Sequence, residues 1–371
     1  MNNYAFRKGD IMEYRENDYK KNGLENYIEK LKDLLKSKDN RFLEILNSAE
    51  NLIAEGIDAD LATFVYELAG DYYHSMNMFD KSVLYYLMAF EAIDRFNFTD
   101  DSVKIINKIC RGYSRLNQFQ DALYYLNFAL EFEDMLHQDS IIKLIFNKAL
   151  CYHNLGFYEK TLTELLTLHS MLDKSNLGRY FDVLTLQANC YTNMRLYDEA
   201  IAIYLNLKDI AKEDLEKSII NLLNLSNVYS LTDKKELVIQ CVEAIMAARR
   251  KLNFPTCYTL HVYYELGKIF IYLENNRKAT YYLKHAYKLS KTEKNLHYQK
   301  ELLTFLFDIC NARDNLKLAE FIKLQLISLI SSDTVDCGWV LIFKLMNFYN
   351  RLGKNSDVDQ ILTAILQSKH S

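Results

Sequence analysis

The chain has 371 residues, half of them hydrophobic, so it can bury a large core, and its 10 glycines and single proline argue against a fold rich in sheets or loops. The formal net charge of −4 and a pI of about 6.1 do not fit a free-standing nucleic-acid-binding protein. No apolar run approaches the ~20 residues of a membrane helix, and the polar, charged start does not resemble a signal peptide. We therefore expect a cytoplasmic protein.

A helix pair is predicted before the main part of the chain. Residues 1–22 carry mixed charges without helical periodicity, which indicates a loose tail or the remnant of a linker. Leu24 to Leu35 and Phe42 to Ile53 each place apolar residues on one helical stripe. We expect residues 23–56 to form an N-terminal capping pair of helices.

Residues 57–371 repeat a pattern of two short helices. The clearest copy runs from Leu184 to Lys208, where the turn Met194-Arg195-Leu196 separates two apolar stripes. Each copy has a marker residue near the end of its first helix, and successive markers are 38 to 41 residues apart. The markers are Tyr73, Tyr113, Tyr152, Tyr191, Tyr229, Phe270, Cys310 and Tyr349.

A small residue three positions before the marker lets the two helices of a pair approach closely. The first six copies have Gly70, Cys110, Ala149, Ala188, Ser226 and Gly267 there. The last two copies have Phe307 and Met346 there, and the fifth, seventh and eighth copies are degenerate. A lone helix pair cannot bury both of its faces, so each copy needs a neighbour on either side. The predicted fold class is an all-α, right-handed α-solenoid of about eight helical hairpins.

The repeat resembles the tetratricopeptide repeat (TPR), whose motif has Leu-Gly…Tyr in the first helix and Ala…Phe/Tyr…Ala in the second. The resemblance rests on Leu68-Ala69-Gly70…Tyr73 with Tyr86 and Ala89, on Leu266-Gly267 with Ala279 and Ala286, and on Tyr197-Asp198-Glu199-Ala200. Two departures are the period, which is ~34 residues in the family, and the missing proline at the end of each repeat.

The sequence contains no HExxH, GxSxG or phosphate-binding loop, so we expect neither an enzyme nor a cofactor. His74 and His153 occupy the same repeat position, and we interpret them as partly exposed surface residues rather than metal ligands. Cys110, Cys151, Cys190 and Cys310 lie at core positions, where free, reduced cysteines act as small hydrophobes. No metal site is predicted.

Polar residues recur on the face of the first helices that should line the concave side of the solenoid. An asparagine amide both donates and accepts, so a series of amides can hold the backbone of an extended peptide. A basic cluster can hold the negative end of that peptide. The alternative is an ordinary hydrated surface. The predicted peptide-binding residues are Lys104, Asn107, Lys108, Arg111, Lys143, Asn147, Asn189, Asn193, Asn224 and Asn227.

Repeats of about 40 residues, the scarcity of proline and the asparagines on first helices resemble the peptide-pheromone receptors of Gram-positive bacteria, the Rap, NprR and PlcR group. The resemblance implies a cytoplasmic sensor that binds a short signalling peptide and belongs to a quorum-sensing, transcription-regulating system. DNA would be bound only through a separate N-terminal domain, and a homodimer is possible. Two alternatives stay open. They are a general TPR interaction scaffold or co-chaperone that binds a protein tail, and a Rap-like effector that acts on response regulators.

Overall fold

The computed structural model describes residues 8–37, 39–56, 59–93, 98–172, 177–251, 256–293, 295–330 and 339–368. Over these ranges the chain forms 18 α-helices, and no β-strand is present in them. The all-α fold class predicted from the sequence is confirmed. In the first half the helices are α1 Lys8–Ser37, α2 Phe42–Ala54, α3 Ala59–Ser75, α4 Phe79–Glu91, α5 Asp100–Arg115, α6 Phe119–Leu130, α7 Gln138–Asn154, α8 Tyr158–Met171 and α9 Leu177–Asn193. In the second half they are α10 Tyr197–Ile210, α11 Leu215–Leu231, α12 Lys235–Arg249, α13 Thr256–Tyr272, α14 Asn276–Thr292, α15 Leu296–Asn311, α16 Leu316–Ile330, α17 Trp339–Arg351 and α18 Asn355–Ser368.

The N-terminal part is more helical than the sequence predicts. The prediction of a loose tail over residues 1–22 is wrong from Lys8 onward, because α1 begins there; residues 1–7 lie outside the described residues. Leu24, Ile28 and Leu31 are buried and fix the later part of this helix against the rest of the protein. Once a helix is fixed in this way, each further residue adds a backbone hydrogen bond without a new nucleation cost, so α1 extends beyond its apolar stripe.

All eight turns within the hairpins use the same backbone conformation. In each, the residue four positions after the marker has a positive φ, between 47° and 80°. In seven of them, the amide N–H one residue later donates to the carbonyl of the marker, at 2.9–3.1 Å. This is the bond that closes a helix ending in a left-handed residue. The left-handed residues are Asn77, Asn117, Gly156, Arg195, Asp233, Glu274, Asp314 and Gly353.

Small residues bring the helices of the array together. A Cβ atom added to Gly70 would lie 2.3 Å from the ring of Tyr86, and one added to Gly267 would lie 2.5 Å from Leu283. Ala149 and Ala188, at the corresponding positions, are fully buried. Five cysteines are buried and form no disulfide: Cys110, Cys151, Cys190, Cys241 and Cys310.

The chain divides into two compact units, residues 1–195 and residues 196–371. In the first unit, α2, α3 and the later part of α1 share one hydrophobic cluster, and α5, α6 and α7 share another. In the second unit, the nearly buried Lys323 of α16 contacts Asp357 of α18 at 2.5 Å and Gln360 at 2.9 Å, which ties the last hairpin to the one before it. The bounds of the capping pair, residues 23–56, and of the array, residues 57–371, stay predictions.

Candidate functional site

The predicted peptide-binding residues lie on the first helices of four hairpins. In the first unit, α5 carries Lys104, Asn107, Lys108 and Arg111, α7 carries Lys143 and Asn147, and α9 carries Asn189 and Asn193. Spacings of three, four and seven residues place each set on one side of its helix. We call this surface of α5, α7 and α9 the first-helix face. In the second unit, α11 carries Asn224 and Asn227, which we call the α11 amide pair.

Lys108 is neutralised inside the protein. Its ammonium nitrogen lies 2.8 Å from Oε1 of Glu67 and 2.6 Å from Oδ2 of Asp71, both on α3. The ammonium also lies over the ring of Tyr86, whose hydroxyl donates to Asp71 at 2.7 Å. These carboxylates take up the positive charge that the sequence pattern assigns to a ligand. Lys108 therefore joins α3 to α5 rather than offering a free cation.

The other cations of the first-helix face differ in their partners. Lys104 is exposed and pairs with Asp101 on its own helix at 2.6 Å. Arg111 and Lys143 are also exposed, and neither has a hydrogen bond or an ion pair with any residue that the structure describes. Arg111 and Lys143 are thus the cations of this face that remain available to a negatively charged ligand.

Several amides of the face are bound to neighbouring repeats. Nδ2 of Asn147 donates to Oδ1 of Asn107 at 2.6 Å, which joins α7 to α5. Nδ2 of Asn193 donates to Nε2 of His153 at 3.1 Å, which joins α9 to α7. Asn189 is half-buried and also has an interaction within the protein. The structure therefore brings the amides of adjacent first helices together, and part of their capacity is used by these contacts.

The α11 amide pair has a different environment. Asn224 is half-buried and Asn227 is exposed, and neither side chain makes a hydrogen bond within the described residues. Asn221, one turn earlier on the same helix, is buried and donates to the backbone carbonyl of Tyr204 at 2.9 Å. Asn221 is thus structural, whereas Asn224 and Asn227 are open to a ligand.

Burial favours the neutral form of two histidines of the first unit, His74 and His153. Burial lowers the pKa of His74, and the positive charges of Arg111 and Arg115 lower it further. Nε2 of His74 is buried without a hydrogen-bond partner. Burial also lowers the pKa of His153, and its Nε2 must be unprotonated to accept from Asn193.

A small apolar cavity opens between α7 and α9. It has a volume of about 140 Å³, and Ile142, Phe146 and Val183 form apolar walls beside Lys143 and Arg179. The guanidinium of Arg179 binds Asp139 through two hydrogen bonds, at 2.8 and 3.1 Å. The cavity is several times the ~30 Å³ share of one water molecule, so it has room for part of a side chain.

The sequence analysis did not identify the partners of the predicted site. Glu67 and Asp71 appear on the same face of α3, but their contact with Lys108 was not foreseen. The available signal was the separation along the chain. Asn107 and Asn147 are 40 residues apart, which is one repeat, and Asp71 and Lys108 are 37 apart, which is about one helical turn less than a repeat. Opposite charges or amides separated by about one repeat lie side by side on adjacent first helices.

Two features are absent from the described part of the chain. None of its helices combines the length and the apolar character needed to cross a membrane. No group of three or more His, Cys, Asp or Glu side chains in those residues is placed to hold a metal ion.

Solved structures identify the fold. A tetratricopeptide repeat protein from Parabacteroides merdae matches with a TM-score of 0.57 and 19% identity, over 76% of this chain and 98% of that chain. The fold is that of a TPR protein. The apo form of RapI matches with a TM-score of 0.56 and 15% identity, over 73% of this chain and 99% of that chain. The resemblance to TPR proteins, including one of the Rap type, is therefore confirmed for the fold.

A third TPR match is a signal transduction ATPase with numerous domains (STAND) from Pyrococcus horikoshii, described as having a tetratricopeptide repeat sensor. Its TM-score is 0.54 at 19% identity, over 93% of this chain and 52% of that chain. No protein-family model matches the sequence, and the comparison with curated proteins finds no match. At these identities the likeness shows the TPR fold alone.

Proposed function

We propose that the protein binds a short peptide on the first-helix face and uses it as a regulatory signal. The observation that carries this proposal is the pair of exposed cations Arg111 and Lys143, neither of which forms a hydrogen bond or an ion pair with a described residue. A cation of this kind forms charge-assisted hydrogen bonds with a C-terminal carboxylate or an acidic side chain. Nothing in the proposal requires a catalytic residue.

The first-helix face sets the length of the ligand. The helices α5, α7 and α9 are first helices of successive hairpins, and α7 contacts both of the others. Packed helices are about 8–10 Å apart, so the face extends roughly 20 Å from α5 to α9. An extended peptide covers at most ~3.3–3.6 Å per residue. A ligand of about six residues therefore spans the face.

The ligand side chains have one suitable cavity. The apolar walls between α7 and α9 would receive an aliphatic or aromatic side chain, while Lys143 at the same cavity would pair with an acidic group nearby. Asn107 and Asn147 keep hydrogen-bonding groups that their mutual contact does not use, and they lie on the same two helices as Arg111 and Lys143. The ligand we infer is a peptide with a negative end and at least one apolar side chain.

The regulatory role rests on resemblance. The sequence pattern resembles peptide-pheromone receptors, the fold is similar to RapI, and the repeats of the Pyrococcus horikoshii protein are described as a sensor. We therefore propose a cytoplasmic quorum-sensing receptor whose output is transcription or a response regulator. A general TPR scaffold or co-chaperone remains the alternative. The possible homodimer and the separate DNA-binding domain stay predictions.

The test is a peptide selection with a charge comparison. Purified protein is mixed with a synthetic pool of short peptides, and the bound peptides are identified by mass spectrometry. Each selected peptide is then measured by calorimetry with a free C-terminal carboxylate and with a C-terminal amide. We expect the amidated form to bind about tenfold more weakly, because one charge-assisted contact is lost.

The variant Arg111→Gln should reduce this difference between the two forms of the peptide. Lys160→Gln is the matched control, because Lys160 is an exposed cation on the second helix α8. If no short peptide is selected, or if Arg111→Gln and Lys160→Gln have equal effects, the first-helix face is not the peptide site.

A further inference from the structure

A cavity of about 800 Å³ lies among α12, α13 and α14 of the second unit, and none of the predicted peptide-binding residues lines it. Among the described residues the backbones of α12 and α13 approach each other at very few points, whereas α12 packs on α11, α10 packs on α11 and α14 packs on α15. The resulting gap between successive hairpins has the size of a site for a small molecule, which is typically 300–1,000 Å³.

The floor of this cavity is aromatic. Phe270 and Tyr282 are buried, and their rings stack with centroids 5.4 Å apart and planes 7° apart. The hydroxyl of Tyr282 donates to Sδ of Met246 at 3.4 Å, which joins α14 to α12 across the cavity. Tyr281, at the rim, has about half of its surface exposed. These rings can pack on the face of a planar ligand.

The cavity carries an excess of positive charge. Its lining includes Arg249, Arg250 and Lys278 and a single carboxylate, that of Glu243. None of these three cations forms an ion pair with a residue that the structure describes. Unpaired cations at a cavity favour an anionic ligand, since a carboxylate or phosphate can accept several hydrogen bonds from them.

Aromatic contacts hold one of these cations in place. The guanidinium of Arg249 lies 4.6 Å from the ring centre of Tyr263 and 5.7 Å from that of Tyr282. It also donates to the hydroxyl of Tyr263 at 2.6 Å. Because this hydrogen bond uses one N–H group of five, the remaining donors of Arg249 can serve a ligand. Arg250 and Lys278 are exposed and can close on the ligand from either side of the mouth.

We propose that this cavity binds a small molecule that combines a planar ring with an anionic group, either a phosphate or a carboxylate. The ring packs beside Tyr281 and Tyr282, and the anion is held by Arg249, Arg250 and Lys278. The site uses α12, α13 and α14 and none of the residues of the first-helix face or the α11 amide pair. The protein would therefore receive a metabolite as well as a peptide.

The first experiment measures binding of defined probes to the full chain by calorimetry. Adenosine monophosphate supplies a ring with a phosphate, and 1-naphthoate supplies a ring with a carboxylate. Adenosine and inorganic phosphate each supply one half of the first probe. We expect at least one of the two complete probes to bind, and adenosine and phosphate to bind about tenfold more weakly or not at all. The complete probe that binds more tightly shows whether the site prefers a phosphate or a carboxylate. Failure of both to bind would overturn the proposal.

The second experiment assigns the binding to this cavity. Arg250→Gln and Lys278→Gln should each weaken the complete probe about tenfold, and neither should lower the melting temperature, because both side chains are exposed. Arg277→Gln is the matched control, since Arg277 precedes Lys278 on α14 and does not line the cavity. An equal loss of affinity in Arg277→Gln and Lys278→Gln would mean that probe binding depends only on the overall charge of the protein, and the cavity would not be its site.

Discussion

The ammonium nitrogen of Lys108 on α5 lies 2.6 Å from a carboxylate oxygen of Asp71 on α3, one repeat earlier in the chain. Glu67 contacts the same nitrogen at 2.8 Å, and all three side chains are largely buried. One cation therefore lies between two carboxylates and offsets their mutual repulsion. This contact stabilises the packing of two adjacent hairpins and removes Lys108 from the set of ligand-binding cations.

Replacing Lys108 with methionine should loosen the first two hairpins of the array. Glu67 and Asp71 would keep their charges and lose their common partner, which we expect to cost about 2 kcal/mol of unfolding free energy. Hydrogen exchange followed by mass spectrometry should show faster exchange in α3 and α5. Lys104→Met is the control, because its ion pair with Asp101 is exposed to solvent and contributes little to stability. Equal exchange rates in both variants would contradict a structural role for Lys108.

The helix pairs were predictable because their positions depend on local spacing. Tyr73 and Gly70 show where the first helix of a hairpin lies and where the second must approach it, and the same spacing recurs along the chain. The extension of α1 to Lys8 was not predictable, since residues 8–22 show no apolar periodicity. The helix continues there by propagation from a fixed end, which leaves no signal in an apolar pattern.

The site was predictable only in part. A periodic pattern places Lys108 and Asn147 on the correct side of their helices, but it does not say which groups on the neighbouring helix reach them. Those contacts decide that Lys108 and Asn147 are bound internally, whereas Arg111 is not. The cavity beside α12 depends on the separation between two hairpins, and no local sequence pattern encodes that separation.

Arg111 should be the dominant cation for a peptide with a free carboxylate. Arg111→Gln should weaken binding of a selected peptide about tenfold at low salt, and the difference from the unchanged protein should shrink as salt is added. Asn107→Ala, on the same helix, should lose less affinity, and its loss should be nearly independent of salt because the contact is between neutral groups. Calorimetry at low and high salt checks both effects. A salt-independent loss in Arg111→Gln would contradict an ionic contact.

Gly70→Ala should destabilise the protein although alanine is the better helix former. The new methyl group would lie 2.3 Å from the ring of Tyr86, which is fully buried and cannot move aside freely. Overpacking of this kind costs about 1–3 kcal/mol. Gly23→Ala is the matched control, since its methyl group would lie at an ordinary 3.5 Å from Leu52. That variant should gain ~0.5–1 kcal/mol from helix propensity. Urea unfolding followed by circular dichroism measures both.

Stability should fall as the solution is acidified below about pH 6.5. Burial lowers the pKa of His74, His153 and His261 in the folded protein, so the unfolded chain binds protons at a pH where the folded chain does not. Unfolding then takes up protons, and the free energy of unfolding decreases with decreasing pH in that window. His153→Gln should make the decrease smaller, and its amide can still accept from Asn193. A pH dependence unchanged in His153→Gln would contradict this assignment.

The last prediction separates structural amides from ligand-binding amides. Asn147 donates to Asn107 at 2.6 Å, so Asn147→Ala leaves a half-buried carbonyl without its partner and should cost about 1 kcal/mol of stability. Because the two side chains form one contact, the double variant with Asn107→Ala should cost less than the sum of the single variants. Asn224→Ala and Asn227→Ala should leave the melting temperature unchanged, since neither amide has a hydrogen bond among the described residues.

Two of these variants, Asn224→Ala and Asn227→Ala, also test peptide binding through the α11 amide pair. If a selected peptide reaches the second unit, Asn224→Ala and Asn227→Ala should weaken it while their melting curves stay the same. If affinity is intact in both and stability falls, the amides support the fold of α11 and its neighbours, as Asn221 does through its bond to Tyr204. If affinity and stability are both intact, the peptide is held by the first unit alone, where Arg111 and Lys143 lie.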